Sequence, residues 1–182
     1  TAPHPRIGGC ALLLVLSPHG GERGKQRPYR KVRMTQLSGQ IIDHEHRLPI
    51  RVYYEDTDFS GVVYYANYLK FFERGRSDYL RLIGIHHHEL AALPEPLAFA
   101  VADIHVRYRA PARIDEVIET RTRLTALRGA GFTLRQRILR GEQLLTEAEV
   151  QAVCIDLKGR PRRLPPAVQA ALSACAVNEK DA

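Results

Sequence analysis

Two aspartates two positions apart, Asp56 and Asp58, stand in the stretch YYEDTDFSGVVYYANYLKFFERGRSDYLRLIG (53–84), ahead of Gly61 and an amphipathic run almost free of helix breakers. Asp58 lies about seven residues before the body of that run. A chain that reverses at Gly61 can bring the Asp58 carboxylate back to the first helical turn, where free backbone N–H groups and the helix dipole favour negative charge. The same N–H groups can polarise a carbonyl and hold the oxyanion that forms when it is attacked. A carboxylate beside an oxyanion site is the minimum equipment for acyl-group hydrolysis, acting as general base or nucleophile. Thioesters suit so sparse a site because thiolate leaves without a strong acid. An aspartate here can also be a plain turn or cap residue. That is the reading for Asp56, which orients the loop. A metal held by Asp56 and Asp58 lacks a third ligand at a useful spacing, and the consecutive histidines 86–88 point in different directions. We expect no metal and no cofactor.

The elements that must position this loop follow from periodicity. RLPIRVYY (47–54) reads as a strand ending at the acidic turn. Beyond Gly61, Tyr65, Leu69, Phe72, Tyr79, Leu80 and Ile83, joined by Gly75, form one helical stripe, with Lys70, Glu73, Arg74, Ser77, Asp78 and Arg81 opposite. Gly84 supplies the stop. Eighteen or so residues make a rod of roughly 27 Å. After the polar segment HHHELAALPEP the period becomes two, at 103–109, 117–124, 132–140 and 147–155, with turn signals between. Consecutive strands on short links imply an antiparallel sheet, apolar on one face. The long helix must cover that face. The expected class is therefore α+β, a hot-dog fold in which a five-stranded antiparallel sheet wraps a long central helix. Pro165 and Pro166 open a short final helix. One helix is narrow cover for such a sheet, and its edges are open, so at least a dimer continuing the sheet across subunits is expected.

The net charge of +7 is concentrated at one end. Residues 1–33 carry seven Lys/Arg against one acidic residue, which leaves only +1 for residues 34–182. The near-neutral remainder argues against nucleic acid as a partner. The only methionine is Met34, and residues 1–33 read as an upstream leader, disordered or non-native. Its apolar run CALLLVL is too short to span a bilayer. Residues 34–175 read as a single domain and 176–182 as a tail. Cys10, Cys154 and Cys175 have no metal-like spacing, and an odd count fits reduced thiols and a cytoplasmic location.

The block RVYYEDTDFSGVVYYANYLKFFERGRSDYLR (51–81) resembles the 4-hydroxybenzoyl-CoA thioesterase family, closest to the branch associated with the bacterial Tol–Pal envelope system. Weaker similarity runs through 106–122, 127–138 and 144–156. The resemblance implies a hot-dog hydrolase acting on short-chain or aromatic acyl-CoA, as a homodimer or homotetramer, with acyl carrier protein as a further candidate partner. Carried over by position, Asp58 matches the catalytic carboxylate and the Tyr65 N–H the donor that polarises the thioester carbonyl. Gly61 and, more weakly, Arg128 in the turn LRGAG are the substrate-contact candidates, Arg128 for a CoA phosphate. Many Tol–Pal-type relatives carry histidine where this chain has Tyr65, and hydroxybenzoyl-type enzymes carry an aromatic. A backbone donor survives that exchange, whereas a histidine proton relay does not. The competing function is a non-catalytic acyl-CoA or acyl-carrier-protein-binding scaffold of the same fold.

Overall fold

The computed structural model describes residues 37–176; the readings of residues 1–33 and of the tail beyond residue 176 lie outside them. In chain order the elements are β1 (Gln40–Ile42), β2 (Glu45–Arg51), a 3₁₀ turn (Tyr54–Asp56), α1 (Asn67–Leu82), α2 (His87–Ala91), β3 (Leu97–Tyr108), β4 (Val117–Arg128), β5 (Gly131–Arg140), β6 (Gln143–Asp156) and α3 (Pro166–Cys175). All strand pairs are antiparallel, in the order β1-β2-β4-β5-β6-β3. The sheet has six strands where the sequence reading expected five. The extra strand, β1, is three residues long and exposed, too short for an alternation to show. It joins β2 through a two-residue turn at Asp43 and His44, both at positive φ, the geometry that matches the twist of a tight hairpin.

β3 begins six residues earlier than the alternation suggests. A bulge between Val101 and Asp103 shifts its register against β6, so the period-two pattern restarts at 103. The segment before β3, read as polar loop, contains the single-turn helix α2.

α1 crosses the apolar face and links two clusters. One gathers Val52, Val63, Tyr68, Phe71, Phe72, Ile118 and Ile138; the other, with α3, gathers Tyr79, Leu80, Leu124, Leu134 and Leu172. The inward stripe differs from the expected one at its start: Tyr68 and Phe71 are buried, while Tyr65 and Leu69 are 61% and 38% exposed. The backbone contacts set this phase. Gly75 packs so closely on the sheet that a Cβ there would lie 2.5 Å from Thr120 Cγ2. Beside it, Gln136 Nε2 donates to the Phe72 carbonyl and to Thr122 Oγ1, each at 2.9 Å. Asp78, assigned by periodicity to the solvent side, is buried: its Oδ2 accepts from the Gly39 N–H at 2.7 Å and from His46 Nε2 at 2.9 Å. A tertiary partner on β2 thus overrides the helical pattern.

The two edges of the sheet are unlike. β1 is a stub, but β3 offers twelve residues paired on one side only, to β6. A long open edge is a template for another strand.

Candidate active site

The segment from Tyr53 to Asn67 is riveted to the start of α1 by its first aspartate. Asp56 is 3% exposed; its Oδ2 accepts the Tyr53 N–H at 2.9 Å, and its carbonyl accepts the Tyr64 N–H at 3.0 Å and Asn67 Nδ2 at 2.9 Å. Each bond satisfies a polar group that burial would otherwise leave unpaired. Bridges from Thr57 to Val63 and from Val62 to Arg113 hold the rest of the loop against the chain ahead of β4. Tyr68 locks the same wall, its hydroxyl accepting the Ala112 N–H at 2.8 Å.

Asp58 stands at the free end of this rivet. Its N–H donates to the Val62 carbonyl at 2.9 Å and its carbonyl accepts the Gly61 N–H at 3.0 Å, closing a turn that Gly61 completes at φ 76°. A side chain is strained at that φ, which is why glycine is there. The carboxylate is exposed. Its Oδ1 accepts the Ser60 N–H at 2.8 Å and, at short range, the Ser60 hydroxyl. Those two donors hold its pKa below the ordinary aspartate value, so the group is ionised at neutral pH. Within the single chain its bonds go to its own turn, not to the helix amides.

The Asn67 and Leu69 amides of the first helical turn are taken by the Tyr64 and Ala66 carbonyls, and the free amides lie just ahead of the helix. Helix α1 starts at Asn67 with Ala66 as its cap, so Tyr65 precedes the helix rather than opening it. Among the described residues the N–H groups of Tyr65 and Ala66 donate to no protein acceptor. The Tyr65 carbonyl is taken by the Tyr108 hydroxyl at 3.0 Å, and neighbouring rings run in the order Tyr64, Tyr65, Tyr108, Tyr68. The Tyr65 hydroxyl, with smaller contributions from burial and the Asp58 charge, holds the Tyr64 phenol above its usual value. Tyr53, Tyr54, Phe59, Tyr64, Tyr65 and Tyr108 are all substantially exposed; five of them lie on the segment that carries Asp58, and Tyr108 meets that segment at Tyr65.

The structure therefore brings Asp58, Gly61 and Tyr65 together on one loop. It does not bring Arg128 to them. Arg128 ends β4, and eleven steps of about 3.3 Å separate it from Val117 near the loop. Ser60 and Tyr108 are the site neighbours that the sequence reading missed. The Asp-x-Ser-Gly turn was a usable signal for Ser60, because aspartate side chains bond the backbone two residues on. Tyr108 is 43 residues from its partner and left no local sign. Among the described residues no group of three His, Cys, Asp or Glu could hold a metal ion. His87, from the histidine tract, lies edge-on to Phe99 with ring centroids 6.0 Å apart.

A long helix laid across one face of an antiparallel sheet is the hot-dog architecture of thioesterases. The chain belongs to the thioesterase-like superfamily, whose family model matches residues 52–172. It is 48% identical over 128 residues to the acyl-CoA thioester hydrolase YbgC of Escherichia coli O6:H1, covering 68% of this chain and 92% of that one. The acyl-CoA thioesterase YbgC of Haemophilus influenzae is 39% identical, over 72% and 96% of the two chains. Among solved structures, a probable thioesterase from Bartonella henselae superposes with a TM-score of 0.65 at 46% identity, over 66% of this chain and 99% of its own.

Proposed function

We propose that the protein hydrolyses acyl-CoA thioesters carrying short-chain or aromatic acyl groups to free acid and CoA. The observation that carries this is the pairing, on one loop, of an ionised Asp58 with the unpartnered N–H groups of Tyr65 and Ala66. The thioester carbonyl oxygen accepts from the Tyr65 N–H. Asp58, as base, takes a proton from water while the hydroxide adds to the carbonyl carbon; as nucleophile, it forms a mixed anhydride that water then cleaves. Collapse of the oxyanion expels CoA thiolate in either case. Label in the Asp58 carboxylate after a single turnover in ¹⁸O-labelled water identifies the nucleophilic route with water attacking the aspartyl carbonyl of the anhydride. Gly61 lets the loop backbone approach the substrate, and Arg128 reaches for a CoA phosphate.

The exposed aromatic surface around Asp58 supports a site finished by a second copy, since patches of this kind mark interfaces. Antiparallel pairing of two β3 edges about a two-fold axis joins the sheets, keeps both helices on one side, and sets the Arg128 end of one copy toward the Asp58 end of the other. The resemblance of residues 51–81 supports placing the protein in the Tol–Pal-associated branch, as a homodimer or homotetramer, with acyl-carrier-protein thioesters as further substrates. The unpaired Cys154 and Cys175 support a cytoplasmic location; no helix among the described residues is long and apolar enough to cross a membrane.

Asp58→Asn is expected to lower kcat by roughly 10²- to 10⁴-fold with the melting temperature unchanged, measured by free-thiol release on a panel of acyl-CoAs. Equal rates for the two proteins would remove Asp58 from the chemistry. Tight acyl-CoA binding with no thiol release from the wild type would make the protein an acyl-binding scaffold instead.

A further inference from the structure

A second site feature lies away from Asp58, between the middle of α1 and the near end of β3. There a cavity of about 130 Å³ has Leu80, Phe99, Val101 and Phe132 as apolar walls and Glu73, Arg76, Ser77 and His87 as polar members. Phe99 and Phe132 meet edge to face with centroids 5.2 Å apart. Arg76 Nη1 is buried and has no hydrogen-bond partner, and no carboxylate among the described residues lies within ion-pair range of this guanidinium. Glu73, one turn back at the rim, is exposed and already bound, its Oε1 accepting the Ser77 hydroxyl at 2.6 Å. Burial depresses the Arg76 pKa, with Glu73 opposing only in part, yet a guanidinium stays charged at neutral pH. Arg76 as a whole is half-buried, but a buried guanidinium nitrogen without an acceptor is costly and binds strongly to an anion that fits.

We infer that Arg76 is a specificity-determining residue that receives a carboxylate at the far end of a short acyl group, so that the preferred substrates are acyl-CoAs whose acyl chain ends in a carboxylate. This rests on the thioesterase reading above and on the paired β3 edges. Within one chain Arg76 is eleven residues past Tyr65, roughly 16 Å along the helix direction, too far for a four- or five-carbon acyl group whose carbonyl sits at the Tyr65 N–H. The two-fold pairing supplies the reach. Tyr108, at one end of β3, lies on Tyr65, and Phe99, near the other end, lines the cavity. Antiparallel pairing sets the Phe99 end of a second copy beside this copy's Tyr108, about one strand spacing of 4.8 Å away. The thioester carbonyl then rests on one copy and the acyl tail enters the other copy's cavity. The small volume admits a short tail and rejects a long one.

The test compares succinyl-CoA with butyryl-CoA, which share four carbons and differ in a terminal carboxylate or methyl. With the full chain, kcat/KM from thiol release is expected to favour succinyl-CoA by roughly 10- to 100-fold, the range of one charge-assisted pair. Arg76→Met is expected to lower that ratio by the same factor, and Arg76→Lys to keep part of it by retaining the charge. A wild-type ratio below one overturns the proposal without any variant having to fold. So does an unchanged ratio in Arg76→Met, which, with loss of dimer mass, would make Arg76 an interface residue. Release from neither ester by the wild type refutes the proposed hydrolysis, not Arg76. Calorimetric binding of the two esters to wild type and Arg76→Met then decides: tighter succinyl-CoA binding that the variant loses upholds the role, and equal affinities overturn it.

Discussion

Replacing Gly75 by alanine tests how tightly α1 is seated on the sheet. The added Cβ would stand 2.5 Å from Thr120 Cγ2, 3.2 Å from Thr122 Oγ1 and 3.3 Å from Gln136 Nε2. The first of these is about an ångström inside ordinary carbon–carbon contact. Thr120 and Gln136 are fully buried on adjacent strands, so neither side chain has space to withdraw. Alanine alone would favour the helix by about 0.5–1 kcal/mol over glycine. Overpacking a dense core costs about 1–3 kcal/mol, and the strain here falls on the bonds that tie Gln136 to Phe72 and Thr122. The net expectation is a loss of about 1–2 kcal/mol, or a fall in Tm of about 2–8 °C at this chain length. Thr120→Ser deletes the clashing methyl while keeping the hydroxyl. Differential scanning calorimetry of Gly75→Ala, Thr120→Ser and the double variant should show the pair to be non-additive, the serine recovering part of what alanine loses. A stabilised Gly75→Ala, or strictly additive losses, would refute the claim that this contact sets the seat of the helix.

Two other expectations follow from buried and unpaired groups. His46 is wholly buried, and desolvation holds its pKa below the ordinary 6.5 even though Asp78, at 2.9 Å, works the other way. The unfolded chain therefore binds a proton as pH falls through 6.5 while the folded chain resists. Stability should decline from neutrality toward about pH 5, and His46→Gln should flatten the slope of Tm against pH in that window; parallel slopes would exclude His46 as its source. At the other edge, sedimentation of the full chain should give at least twice the 20.6 kDa chain mass. Ala102→Pro, placed at the β3 bulge where no pairing to β6 is recorded, should lower that mass and the thioesterase rate together. An active wild-type monomer would rule out a shared site.

The parts of the molecule that were legible in the sequence are those where a local pattern and the tertiary contacts agree. β4, β5 and β6 alternate cleanly because one face packs on α1 and the other carries charge; Arg121, Arg137 and Glu147 sit in register across three strands. The start of α1 was misread because Tyr65 and Leu69 look like core residues by spacing, whereas contacts at Gly75 rotate the helix to bury Tyr68 and Phe71. Asp78 was misread for a related reason: its partners, Gly39 and His46, are 39 and 32 residues away. At the loop, the two aspartates were separable from each other, since Asp56 is the rivet and Asp58 the free carboxylate. Arg76 was not, because its lack of a partner is a property of three-dimensional surroundings and leaves no trace in composition or spacing.

Five features of the single chain gather along one strand. β3 has an unpaired edge of twelve residues. Near its Tyr108 end lie the exposed aromatic surface, the ionised Asp58 and the free Tyr65 and Ala66 amides. Near its Phe99 end lies a cavity holding an unmatched guanidinium. Each taken alone admits a separate remedy, such as a capping segment for the edge or solvent for the amides. The proposed two-fold axis through β3 would answer all five together, because antiparallel pairing would cover the edge and set the two unlike ends face to face. In that proposed arrangement the charges would run in the order a substrate requires: donors for an oxyanion on one copy, a carboxylate beside them, and a cation at the end of a short passage in the other. If the arrangement is right, a β3 substitution that lowers the sedimentation mass must also lower the succinyl-to-butyryl ratio, whereas Arg76→Met must lower the ratio and leave the mass unchanged.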